Sequence, residues 1–247
     1  MVIESRTDVN GLRRANRATA RLLKHLARMA KPGVTTRALD DFAMAYITDL
    51  GAIPVFHTEE GFPGCINTSV NDVALHGVPS EYQLRAGDVL SIDAGMVLDG
   101  YCGDATITVA IGEISPERQR LIDTARGAMQ AGIAAAVTGN RIGDISSAMQ
   151  RYAEARGFGV FRDFTGHGVG HTMHEAPSIP FVGKAGTGPL LKEGLVITIE
   201  PVIAERSPRY RVDADGWSIR TADGGCAAQF EHTVIVTSRG AQILSQI

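Results

Sequence analysis

The chain has 247 residues, 44% hydrophobic and 21% charged, which excludes an intrinsically disordered chain and is long enough to bury a substantial core. Its formal net charge of −3 gives no reason to expect specific or general nucleic-acid binding, although the arginines near the N-terminus leave room for a local basic patch. Three cysteines without paired spacing point away from a disulfide framework or a thiolate zinc site and fit a cytoplasmic protein, and neither an apolar signal region nor an 18-residue apolar run reads as an export signal or a membrane span.

In chain order, Leu12, Ala15, Thr19, Leu22, Leu26 and Met29 recur at helical spacing and predict an amphipathic helix over about residues 9–30. After "KPGVTT" a second helix is expected to run to Leu50, with Leu39, Phe42, Tyr46 and Ile47 on its apolar side and Gly51 as its stop. Residues 52–111 change to a β-branched pattern punctuated by Asn71-Asp72 and Asp99-Gly100, both read as hairpin turns. The order then repeats: "SPERQRLIDTARGAMQAGIAAAV" opens with a Ser cap and Pro116 at the first helical position, "GDISSAMQRYAEAR" forms another helix, and strands follow. Gly33 to Gly51 and Gly139 to Gly157 span units of equal length. The expected architecture is a single α/β (α+β) catalytic domain over 1–247, built from halves at about 9–112 and 115–240 that share one sheet, with helices on one face and a cleft where the halves meet.

The stretch "GHGVGHTMHEAP" places His167, His171 and His174 at i, i+4 and i+7, which on a helix would align them, but three glycines in five residues make a helix costly. Its order, H-x-x-H-E, is not that of the zinc-protease helices. The strongest local signal lies earlier, in "DVLSIDAGMVLDGYCGDATITVAIG". With Asp99-Gly100 as a two-residue turn, residue 93 faces 106 and residue 95 faces 104, so Asp93 and Asp104 become diagonal neighbours on one face, about 7 Å apart.

Two carboxylates so placed in apolar strands repel each other and are costly to bury, and a cation between them removes both problems. The plainer alternative is an exposed Asp104 at a strand edge and a turn-capping Asp93. Glu200 in "LVITIEPVIAE" and Glu231 in "AAQFEHTVIVT" interrupt apolar strands in the same way, and four such acids together are harder to assign to separate salt bridges. With His167 they form a set of hard oxygen donors and one imidazole, suited to Mn, Fe, Co or Zn rather than Ca. Five ligands exceed what one catalytic ion takes while keeping an open position, so two ions with shared carboxylates are the economical reading.

Asp93 and Asp104 at this spacing, "GHGVGHTMHEAP", "TIEP" and "FEHTV", in this order, resemble the methionine aminopeptidases of the pita-bread fold, with a short segment between His174 and Glu200 similar to the type I enzymes. The resemblance implies a metalloaminopeptidase that removes the initiator methionine from peptides and nascent chains, with two divalent ions (Co, Mn, Fe or Zn) and attack of a metal-bridging hydroxide on the first peptide bond. It assigns Asp104, His167, Glu200 and Glu231 to one ion and Asp93, Asp104 and Glu231 to the other, and Glu200 a proton-transfer role as well. His76 in "VALHGVP" matches a histidine near the scissile amide, and His174 one that contacts the substrate carbonyl. Phe62, Cys65, Met173 and Trp217 are assigned to the substrate side-chain pocket. Asn67 stands where many bacterial enzymes have cysteine, and Met173 where phenylalanine is frequent. His171 has no catalytic role in the match, and Glu175 is read as a structural or rim carboxylate.

Two alternatives are weighed. A proline-directed aminopeptidase or prolidase of the same fold usually carries an additional domain ahead of the catalytic half, whereas this chain starts almost directly with the first helix. A non-catalytic pita-bread binding protein would typically lose metal ligands, and all five are kept. Nascent-chain N-termini are the expected partner, ribosome association is left open, and a monomer is expected.

Overall fold

The computed structural model describes residues 1–59 and 61–246. The helices of the described residues fall in two groups, each followed by strands: α1 (Arg6–Met29), α2 (Thr36–Asp49) and α3 (Val55–Glu59), then α4 (Pro116–Ala135) and α5 (Ile142–Glu154). The strands of the first half are β1 (Ile66–Val70), β2 (Val73–Leu75), β3 (Val89–Leu98) and β4 (Tyr101–Ala110). Those of the second are β5 (Gly159–Val160), β6 (Thr165–Gly168), β7 (Glu175–Pro180), β8 (Val196–Ile199), β9 (Val202–Ala204), β10 (Tyr210–Val212), β11 (Ile219–Thr221), β12 (Ala227–Gln229), β13 (Glu231–Ile235) and β14 (Gln242–Ile243).

Helix α1 starts earlier than its apolar period suggests. Ser5 Oγ accepts from the Asp8 amide and the Asp8 carboxylate accepts from the Ser5 amide, a reciprocal cap that satisfies the first turn without any buried apolar residue in it. Ser115 and Pro116 start α4 as expected, with the Arg118 amide donating to Ser115 Oγ. The two helix pairs are punctuated alike: Gly33 and Gly139, ahead of α2 and α5, have φ of 90° and 93°, and Gly51 and Gly157, behind them, 66° and 84°. These values lie in the left-handed region where only glycine is unstrained.

An antiparallel eight-stranded sheet in the order β1-β3-β4-β13-β8-β6-β7, with β14 beside β13, forms the centre. One of its faces is apolar and meets the helices. Leu90, Ile92, Ala94, Met96 and Ala105 pack with Leu22, Leu23 and Leu26 of α1 and Leu39 and Ile47 of α2, and Ile197, Ile199 and Val234 pack with α4 and α5. Contact is close enough that a Cβ on Gly103 would stand 2.5 Å from the Ala15 carbonyl carbon. Because side chains alternate across a strand, Asp93, Asp104 and Glu231 project from the opposite face.

Two expectations need correction. Asn71-Asp72 does make a turn, with Asn71 at φ 54°, but not a paired hairpin: β1 pairs with β3 while β2 pairs with β11 in a separate three-stranded sheet. The Asn71 side-chain oxygen accepts from the Val89 backbone N–H and the Asn71 backbone N–H donates to Val89 O, so the turn is tied to β3 instead. Nor are "LVITIEPVIA" and "AAQFEHTVIV" continuous strands. Each splits, β8 and β13 joining the central sheet and β9 and β12 joining each other in a small one. Pro201, which has no N–H for a ladder, marks the first break, and Phe230 the second.

Candidate active site

Both glutamates stand where a strand changes sheets, Glu200 immediately after β8 and Glu231 at the start of β13. The aspartates come from the β3–β4 hairpin, whose register places Asp93 opposite Thr106 and Gly95 opposite Asp104, as counted from the Asp99-Gly100 turn. Asp99 and Gly100 have φ of 52° and 78°, the two consecutive positive values of a turn that matches the twist of the strands. β13 pairs with both β4 and β8, which brings Glu231 between the two Asp-bearing strands and Glu200.

The carboxylates converge on His167 of β6. Its Nε2 lies 3.5 Å from Asp104 Oδ2 and 3.5 Å from Glu200 Oε1. Ligand atoms of Asp104, His167 and Glu231 lie within 4.8 Å of one another, and Asp93 and Glu200 line the same cavity. His167 Nδ1 contacts Gly168 O at 3.0 Å; with the proton on Nδ1, that contact leaves the Nε2 lone pair facing the acids. Thr198 Oγ donates to Glu200 Oε1 at 2.7 Å and Thr106 Oγ to Glu231 Oε2 at 2.8 Å. Gln229 Nε2 reaches Glu200 Oε2 at 3.4 Å. Among the described residues Glu231 Oε1 is buried without a hydrogen-bond partner.

Burial pushes the Glu200 and Glu231 carboxyls well above the usual carboxylate range, and the next largest cause is a neighbouring acid, Asp104 for Glu200 and Glu200 for Glu231. The threonine hydroxyls oppose this without reversing it. A buried cluster of mutually repelling oxygens, one imidazole and an orphaned carboxylate oxygen fits hard divalent cations, which would supply the missing partner and screen the repulsion.

A cavity of about 310 Å³ opens above these acids. His76 and His174 line it, and the His174 ring stands 4.3 Å from that of His167. His76, at φ 55°, follows β2, and the pairing of Leu75 with Ile219 brings Trp217 alongside. Gly77 permits this bend, since a Cβ there would lie 2.4 Å from Thr68 O. Trp217 and Phe62 meet edge to face at 5.3 Å on the cavity wall. Asn67 lines the cavity as well.

Cys65 and Met173 are placed elsewhere. Cys65, which precedes β1 and is not held to its alternation, is fully buried with its amide on Asp40 Oδ1 and its side chain in the core between sheet and α2. Burial also pushes its thiol far up, the mark of an inert packing thiol. Met173 lies behind the wall, packed with Phe56 and Val169. Phe56, Phe164 and Phe181 line the cavity although no spacing singles them out, being scattered over α3, the entry to β6 and the exit of β7.

The segment at 166–177 is no helix. β6 carries His167, a loop carries His171, and β7 begins just after His174. Its glycines answer to crowding: a Cβ would stand 2.8 Å from Thr198 O at Gly166 and 2.3 Å from Ala176 O at Gly168. His171 is exposed, with Nδ1 at 2.8 Å from Gly100 O and its ring against Tyr101. Glu175 holds the loop, accepting from the His171 and Thr172 amides, and pairs with the Met1 ammonium at 2.6 Å.

The chain matches Metallopeptidase family M24 over residues 10–238. It is 42% identical over 246 residues to a methionine aminopeptidase of Clostridium acetobutylicum, covering 99% of this chain and 98% of that protein. A crystal structure of methionine aminopeptidase from Rickettsia prowazekii aligns over 100% of both chains with a TM-score of 0.97 at 39% identity. A prolidase from Pyrococcus furiosus shares the fold alone, with 21% identity, a TM-score of 0.79 and coverage of 100% of this chain but 66% of that one. The mixed α/β sheet backed by two helix pairs is the pita-bread fold. With this fold, these acids and full-length similarity on both counts, the chain belongs to metallopeptidase family M24 and, within it, to the methionine aminopeptidases, as a metalloaminopeptidase hydrolase.

Proposed function

We propose that the protein removes the N-terminal methionine of peptides and nascent chains with two divalent ions, Co, Mn, Fe or Zn. Asp104, His167, Glu200 and Glu231 would hold one ion, and Asp93, with Asp104 and Glu231 again, would hold the other. The ions, when bound, polarise the first peptide carbonyl and acidify water. The observation that carries the reading is the convergence of Asp104, His167 and Glu231, with Glu200 beside them, on the floor of a cavity rimmed by aromatic side chains.

The remaining steps fall to this chain's own groups. Glu200 accepts a proton from the attacking water at its carboxylate and delivers it to the leaving amine nitrogen, kept in orientation by Thr198 and Gln229. His174 donates to the carbonyl oxygen as charge builds there, and His76 holds the scissile amide. Phe62 and Trp217 enclose the methionine side chain, and the aromatic wall excludes water from it. We extend the reading to a monomer in the cytoplasm, with the ribosome as the source of its substrates.

The test is to strip the protein with a chelator, restore Mn or Co, and follow methionine release from Met-Ala-Ser beside cleavage of an X-Pro peptide. Metal-dependent methionine release is expected. Its absence defeats the reading, and preferential X-Pro cleavage replaces it with a proline-directed one.

A further inference from the structure

We propose that the outer face of α1 is a docking surface for the phosphate backbone of RNA. The helix carries seven basic residues against the single acid Asp8, a net +6 in a chain whose total is −3. Arg14, Arg17, Arg21, Lys24 and Arg28 follow one another at three- and four-residue steps and are all exposed, a line about 21 Å long at the rise of an α-helix. Arg14 meets exposed Asp99 at 3.1 Å, and the other four have no carboxylate partner among the described residues. Five like charges on one helix repel one another, an arrangement that an external polyanion relieves.

The corresponding helix of the other half lacks this property. On α4 three arginines alternate with Glu117 and Asp123. Arg118 is drawn inward to Asn71 and Gly87, while Arg120 and Arg126 lie over the rings of Phe158 and Phe230. The basic line is thus particular to α1 and not a consequence of helix position.

Charge alone would also suit an anionic lipid surface, but an interfacial helix must bury an apolar face in the membrane. Every exposed residue of α1 is polar, and its apolar side is spent on the sheet. The sheet face beneath α1 is the one opposite the acids, so a polyanion on α1 leaves the cavity accessible. The choice of RNA over DNA rests on the function proposed above, since nascent chains emerge from an RNA-containing particle. Contacts to phosphates alone carry no base specificity.

The experiment titrates the full-length protein with a 20-base-pair RNA duplex, the same duplex as DNA, and vesicles of phosphatidylcholine with phosphatidylserine, at several salt concentrations. The variant reverses three charges, Arg17→Glu, Arg21→Glu and Lys24→Glu, and the control reverses three exposed charges elsewhere, Arg151→Glu, Lys184→Glu and Lys192→Glu. For the α1 variant we expect RNA affinity to fall by at least about tenfold relative to the control and the salt slope to shrink by about 2 to 3, a little under one per lost phosphate contact. A Gln version of the variant, with melting temperature as the folding check, should give the same direction with a smaller loss. Equal RNA affinity in variant and control overturns the proposal, as does binding to vesicles but not RNA, and tighter binding to DNA overturns the choice of RNA. Hydrolysis of Met-Ala-Ser is read in the same samples. Its retention in the variant separates docking from catalysis, and its absence in the unsubstituted protein removes the functional reading without touching the RNA result.

Discussion

The β3–β4 hairpin and the segment from β6 to β7 both deliver residues to the cavity, and they do so by opposite means. The hairpin is a ladder of ten paired positions closed by a two-residue turn, so each side chain's face follows by counting from Asp99-Gly100. The β6–β7 pair shifts register between Gly166 and Gly168, and its loop is held by Glu175 and by close backbone contacts instead of a ladder. In a regular ladder, spacing in sequence translates into spacing on a face. In the irregular segment it does not, and three histidines that look equivalent at i, i+4 and i+7 come to lie in a strand, on an exposed loop and at a strand entrance.

Replacing one member from each region tests this contrast most severely. Asp104→Ala on the hairpin and His167→Ala on β6 should each remove most bound metal and lower methionine release by about 10³-fold or more, read by metal analysis and peptide turnover. Full metal retention in either variant would detach that region from the site. His174→Ala should keep its metal and lower kcat by about 10²- to 10³-fold, the scale of losing one donor to a developing oxyanion; parallel loss of metal would make His174 a ligand instead.

Gly95→Ala probes the joint between the two regions. The new Cβ would stand 2.5 Å from Met173 Cε and 3.0 Å from the Phe56 ring. The flexible methionine can yield and the ring less so, which sets the cost at about 1 to 2 kcal/mol, or a melting temperature lower by about 2 to 6 °C. An unchanged melting temperature would show that the regions do not press on each other there. The smallest effect is expected from His171→Ala: metal content and kcat unchanged, and stability reduced by no more than about 1 kcal/mol through loss of its contacts with Gly100 and Tyr101. Loss of metal matching that of His167→Ala would erase the distinction between the two histidines.

Much of the fold was legible because its local rules are strong. The caps and glycine stops of the helix pairs, the 3.6-residue period of α1 and the positive-φ turn at Asp99-Gly100 each act within a few residues. Partner choice between strands was less legible. Nothing near Asn71 says that β2 will leave its neighbour for β11, since that depends on a strand well over a hundred residues away. The splitting of the β8–β9 and β12–β13 runs is similar: Pro201 hints at the first, but the second rests on which sheet edge each piece meets.

The candidate site divides along the same line. Sequence by itself singled out the four acids and the hairpin register, because an ionised residue in an apolar strand is conspicuous wherever it falls, whereas the placement of three similarly spaced histidines in strand and loop was left to the fold. The tertiary structure decided which aromatic side chains wall the cavity, put Asn67 on it while Cys65 and Met173 went into the core, and put the α1 arginines on the side of the sheet away from the acids. The physical reason is that burial and neighbours at long range are properties of the packed chain, whereas period, capping and turn geometry are already present in a short stretch of backbone.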